Sequence, residues 1–80
     1  MNLAYPPRRR LNPRKLLLSK WTAVVPQQRE RHFIVTRVIE PEDPEAPIEQ
    51  VVLQAVLTRR DSTVAWRELT DEDRWHQGWR

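Results

Sequence analysis

The strongest constraint on the fold is a pair of alternating runs, His32 to Ile39 and Gln50 to Arg60, separated by a stretch that holds Pro41, Pro44 and Pro47. A period of two belongs to strands, and prolines at that density cannot join a hydrogen-bonded ladder. In the first run Phe33, Val35 and Ile39 share a face on which Arg37 is the single break, with Ile34, Thr36 and Val38 opposite. In the second, Val51, Leu53, Ala55 and Leu57 oppose Val52, Gln54, Val56 and Thr58. Two strands joined by an exposed, acidic, Pro-rich loop at 41–49 are therefore expected. Closure entropy rises only logarithmically with length, so it sets little limit on that loop.

Further strands flank this pair. Trp21 to Val25 is aromatic and β-branched and is bounded by Pro26; Val64 to Leu69 follows a turn at Asp61-Ser62-Thr63 short enough to force an antiparallel hairpin. Asn12-Pro13 is a helix-start signature, cap then first helical position, which would lay Leu16 and Leu17 over the core. Thr70 is expected to cap a second short helix, with Asp73 near its start and Trp75 and Trp79 on one side of its turn. With strands near 21–25, 32–40, 50–60 and 64–69 and no crossover helix, the fold class is mainly β. The expected architecture is a small, strongly curved antiparallel sheet of about four strands or a small open barrel, SH3-like in its preferred form, with short terminal helical turns over its open ends. Phe33, Val35, Leu53, Ala55, Leu57 and Trp66 would fill it. Residues 12–80 form this β domain; residues 1–11, with Pro6, Pro7 and no periodic apolar face, form a flexible basic arm.

Size and composition narrow the function. A chain of 80 residues hides only about 60–65% of its unfolded surface, which leaves little for a deep catalytic cavity. There is no cysteine, hence no disulfide and no thiolate, and the single glycine, Gly78, rules out a phosphate-cradling glycine loop. His32 and His76 have no metal-ligand spacing, and His32 at a strand start reads as a structural hydrogen-bonding group. Ser19 and Ser62 have no indicated base, and Glu68 beside Arg67 reads as paired or solvated. No catalytic residue, metal or cofactor is expected, and the protein reads as a non-enzyme. Leu16 to Leu18 and Val51 to Leu53 are far too short to span a bilayer, which takes about 20 residues, and Arg8-Arg9-Arg10 precedes no signal-peptide core. The chain therefore reads as cytoplasmic, with no membrane partner.

The net charge of +3 conceals a segregation. Residues 1–20 hold Arg8, Arg9, Arg10, Arg14, Lys15 and Lys20 and no acid, while residues 38–50 hold five acids and no base. An acid-free basic segment gains affinity for nucleic acid by releasing condensed counterions; the same segment can equally be a solubilising tail. Trp21 and Trp66, each in a strand, read as structural, and Trp75 as a lid on the sheet. Trp79 is the candidate for an exposed stacking plate. These residues together suggest a binding module for RNA or a ribonucleoprotein, using the six basic groups and Trp79. RNA is favoured over DNA because no long recognition helix exists for a major groove. The alternative is a protein-protein interaction or assembly module anchored by Trp79 and Trp75.

The order of short blocks adds a resemblance. Asn12-Pro13-Arg14-Lys15-Leu16, Ser19-Lys20-Trp21-Thr22-Ala23-Val24, His32-Phe33, Ala55-Val56-Leu57-Thr58, Trp66-Arg67-Glu68-Leu69 and Trp75 through Gly78-Trp79 resemble a family of small bacterial tryptophan-rich conserved proteins. The resemblance spans residues 12–79 and implies family membership without assigning any catalytic or binding residue. The arm and the acidic loop lie outside the blocks and inherit nothing from it.

Overall fold

A computed structural model describes residues 9–80. The alternating runs form strands, as their period requires, in one antiparallel sheet of five: β1 (Lys20–Gln27), β2 (Glu30–Val38), β3 (Gln50–Ala55), β4 (Asp61–Ala65) and β5 (Trp75–Gln77), ordered β4-β3-β2-β1-β5. The β1–β2 hairpin turns on Gln28 and Arg29, both left-handed at φ 54° and 63°, which matches the twist of the flanking strands. The acidic loop stays exposed at most positions but is anchored at its end, where Ile48 is buried and its carbonyl accepts the Trp66 indole N–H at 2.9 Å.

Two bulges account for residues that break the sequence pattern. Between the pairs Thr22↔His32 and Gln27↔Glu30, β1 carries extra residues that include Pro26. A bulge releases the proline from donating to the β2 ladder, so the strand runs past it to Gln27. Between Val35↔Leu53 and Arg37↔Val52, β2 carries one extra residue, Thr36. That insertion inverts the alternation: Arg37 turns outward and Val38, opposite Val51, packs against the core.

The architecture differs from the expected barrel in three ways. First, the β3–β4 turn lies at residues 56–60, and Asp61-Ser62-Thr63 belongs to β4, paired with Gln54, Leu53 and Val52. Leu57 at that turn is therefore 70% exposed and not a core residue. Secondly, Trp66–Thr70 is a 3-10 turn, and the expected second helix is absent: the Thr70 hydroxyl donates back to the Arg67 carbonyl, and Asp71 Oδ1 accepts the Asp73 N–H in a local turn. The chain then extends, and Trp75–Gln77 pairs with Ala23, Thr22 and Trp21 as a fifth strand. Thirdly, β4 and β5 lie at opposite edges and do not pair, so of the two expected forms the chain takes the open sheet, not the barrel. The segment between them must cross the inner face, and it delivers Leu69 to the core.

That core is Leu16, Trp21, Val35, Val51, Leu53 and Leu69, with Leu11, Phe33, Val38, Val64, Trp66 and Trp75 packed around it. Leu16 reaches it from a short 3-10 turn, Pro13–Lys15, capped by Asn12 Oδ1 accepting the Arg14 N–H at 3.0 Å. Leu17 and Leu18, by contrast, remain 53% and 63% exposed. Residues 1–8 of the expected arm lie outside the described residues. Arg9 is seated on the sheet: its backbone N–H donates to the Thr70 carbonyl, its guanidinium to the Leu69 and Trp75 carbonyls, and it lies 5.2 Å from the Trp21 ring centroid.

Candidate nucleic-acid interface

The outer sheet face is built on Thr22. In β1 it faces His32 of β2 on one side and His76 of β5 on the other, so all three side chains share the solvent face. The segment after β5 folds over this threonine: its hydroxyl donates to the Gly78 carbonyl at 2.7 Å and accepts the Arg80 N–H at 3.0 Å, which leaves Thr22 buried. Gly78 makes the bend possible with φ +86°, a conformation costly for a residue with a Cβ.

The bend sets Trp79 down as a plate. Its indole N–H donates to the Phe33 carbonyl at 2.9 Å, yet the side chain keeps 44% exposure. Lys20 Nζ lies 4.7 Å from its ring centroid, and the His32 ring is 6.0 Å away, tilted by 38°. His32 Nε2 is 2.7 Å from the Arg80 carbonyl oxygen; a carbonyl only accepts, so Nε2 carries the proton and donates. Among the described residues the lysine has no carboxylate partner, and its charge is directed onto an aromatic face.

Of the residues expected to contact nucleic acid, Lys20 and Trp79 are brought together. Arg8 lies outside the described residues. Arg9 faces inward onto three carbonyls, and its donors there are engaged by the fold. Arg10 and Lys15 are exposed, as is Arg14, which lies 3.7 Å from Glu40. His32 was not among the expected contacts, although its alternation with Ile34 already put it on the face opposite Phe33.

The inner face holds a second, half-open hollow of about 420 Å³ beyond the covered part of the core. Phe33, Leu53, Val64 and Trp75 line it, with Phe33 and Trp75 edge to face at 5.2 Å. Glu30 closes one end. Although only 3% exposed, it accepts from the Thr58 hydroxyl and from the Arg60 guanidinium through both oxygens. Those bonds hold its carboxyl below the usual carboxylate range against the opposing effect of burial, and they raise Arg60 in turn. The described residues contain no cluster of three or more His, Cys, Asp or Glu able to hold a metal ion. Nor do they contain a helix long and apolar enough to cross a membrane.

Comparison with curated proteins and with solved structures returned no match. The family model described as Tryptophan-rich protein (DUF2389) matches residues 19–80, which takes in β1 to β5 and all four tryptophans but leaves the Asn12-to-Leu16 block outside. With most of the chain and the whole sheet inside that match, this protein is a member of the tryptophan-rich DUF2389 family.

Proposed function

We propose that the protein is a non-enzymatic binding module for single-stranded RNA or an RNA-containing assembly, acting through the outer face around Trp79. The observation that carries this reading is the Trp79 plate itself, fixed by its indole hydrogen bond, 44% exposed, and attended by a lysine ammonium without a carboxylate partner among the described residues. A ring held in place this way stacks on an unstacked base with little loss of side-chain entropy, while Lys20 is free to move onto the adjoining phosphate. Arg10 and Lys15, exposed in the acid-free segment, add phosphate contacts that carry affinity without sequence information.

Fluorescence anisotropy with single-stranded RNA, duplex RNA and matched DNA at several salt concentrations tests the reading. Single strands should bind best. Trp79→Ala should weaken binding by about 1–3 kcal/mol, and Trp79→Tyr should retain most of it. Lys20→Ala should lower the slope of log affinity against log salt by about 0.7, the value for one phosphate contact on a single strand. No saturable binding to any nucleic acid at low salt, together with a ribonuclease-resistant protein partner, would transfer the function to protein interaction. The exposed Val56 and Leu57, adjacent in the β3–β4 turn, are apolar side chains such a partner would cover.

A further inference from the structure

Leu17 and Leu18 occupy an unusual position. Adjacent leucines 53% and 63% exposed follow Leu16, which is buried, so the same run of sequence sends one side chain into the core and leaves two in water. Leu18 also sits at φ +65°, a left-handed conformation that is strained for any residue with a Cβ and rare for one as bulky as leucine. The backbone is held there from both sides: the Leu18 N–H donates to the Val35 carbonyl at 2.7 Å, and the Ser19 carbonyl accepts the Val35 N–H at 3.0 Å. Glycine would relieve the strain and asparagine would tolerate it; a leucine at this turn calls for a use of its side chain.

The surroundings indicate which use. Lys15 and Lys20 bracket the pair, both exposed and without a carboxylate partner among the described residues; Arg10 precedes it, as does Arg14, which is paired with Glu40 at 3.7 Å, and the sequence holds no acid from residue 1 to 20. Trp79 hangs on the carbonyl of Phe33 and the Leu18 backbone on that of Val35, two positions along β2. Exposed aliphatic side chains flanked in sequence by exposed lysines suit an anionic bilayer surface, where apolar groups enter the acyl boundary and ammonium groups stay among the phosphates.

We infer that the Leu17-Leu18 turn is a peripheral contact for an anionic lipid surface, with Lys15 and Lys20 as its electrostatic collar. The inference shares Lys15 and Lys20 with the RNA reading but not the leucines, which have no part in base stacking or phosphate contact, so the leucine variants separate the two. It also departs from the sequence-based expectation of no membrane partner, which weighed spanning segments and a signal peptide and assigned Leu17 to the core.

Cosedimentation with vesicles tests it, using pure phosphatidylcholine and a mixture of about three parts phosphatidylcholine to one part phosphatidylglycerol. The full chain should bind the anionic vesicles in a salt-sensitive manner and the neutral ones far less. Leu17→Ser should weaken that binding about ten-fold or more, and Lys15→Ala about five-fold, with RNA affinity unchanged in the leucine variant. Leu18→Gly is the decisive variant: relief of the left-handed strain should raise the thermal midpoint while vesicle binding falls. No binding to anionic vesicles at low salt would overturn the inference. Equal binding by the leucine variants would overturn it as well, reducing the contact to nonspecific attraction of cations, and failure of RNA binding in the anisotropy assay would leave the vesicle result standing.

Discussion

Trp21 is the tryptophan on which stability turns, because it has no exposed surface and belongs with Leu16 and Leu69 to the central cluster. Sequence reading favours Trp66 for that part, because a place in a strand predicts its burial. In the folded chain Trp66 belongs to a 3-10 turn and is half-buried, with its N–H on the Ile48 carbonyl and the Arg67 guanidinium on its ring. Trp21→Ala should therefore be the most damaging of the four truncations, at about 3–5 kcal/mol in a denaturant titration. Glu30 contributes with a defined pH dependence. Its folded-state carboxyl titrates below the ordinary value of 4.5, so its stabilising contribution is complete above that value and is lost as pH falls through the lower, folded one. Urea titrations of Glu30→Gln should show a loss of stability at neutral pH and a gap to the parent chain that narrows as the pH drops below 4.5. A gap that stays constant with pH would mean that the carboxylate's charge contributes nothing.

At the scale of elements, turns and bulges decide what periodicity leaves open. The β1–β2 turn places Gln28 and Arg29 in left-handed conformations where Asn and Gly are the favoured pair. Replacing Gln28 by Asn and Arg29 by Gly should stabilise the hairpin by about 1 kcal/mol, seen as a higher thermal midpoint. The N-terminal segment docks through Arg9, whose guanidinium satisfies two carbonyls of the crossing segment and β5. Arg9→Ala should accordingly cost about 1.5–3 kcal/mol, the range for hydrogen bonds to a charged group, whereas exposed Arg10→Ala should leave the midpoint unchanged. β2 and β3 were legible because two-sided alternation survives in them. Arg37 stood out as a break in that pattern, and its cause is the single-residue bulge at Thr36. β5 was illegible: three residues, Trp75–Gln77, form a strand only because the edge of β1 is there to receive them, and a pair of tryptophans four apart mimics a helical face.

For the whole molecule, the open sheet and the outer aromatic plate are the two claims with consequences. The bonds Ala55 N–H to Arg60 carbonyl and Trp66 N–H to Glu49 carbonyl frame the β3–β4 ladder, so Ser62 and Val64 face β3 while Thr63 and Ala65 face away from the sheet. Hydrogen exchange should find the Thr63 and Ala65 amides fast and those of Ser62 and Val64 protected; protection at all four would mean a closed barrel. The mainly β class follows from alternation alone, but closure depends on where the chain goes after Ala65, and a short 3-10 turn is below the reach of propensity arguments. In the candidate interface Lys20 and Trp79 were legible as a charge in an acid-free run and an aromatic near a glycine. Their meeting depends on the bend at Gly78 and on Thr22, whose hydroxyl no local pattern marks. The most direct test of the interface is a nitrogen-15 chemical-shift titration of the intact chain with single-stranded RNA. Shifts should concentrate on the Trp79 indole N–H, Lys20, Thr22 and His32, with the Trp21 and Trp75 indoles still. Shifts confined to the inner hollow around Phe33 and Trp75, or none at saturating RNA, would contradict it.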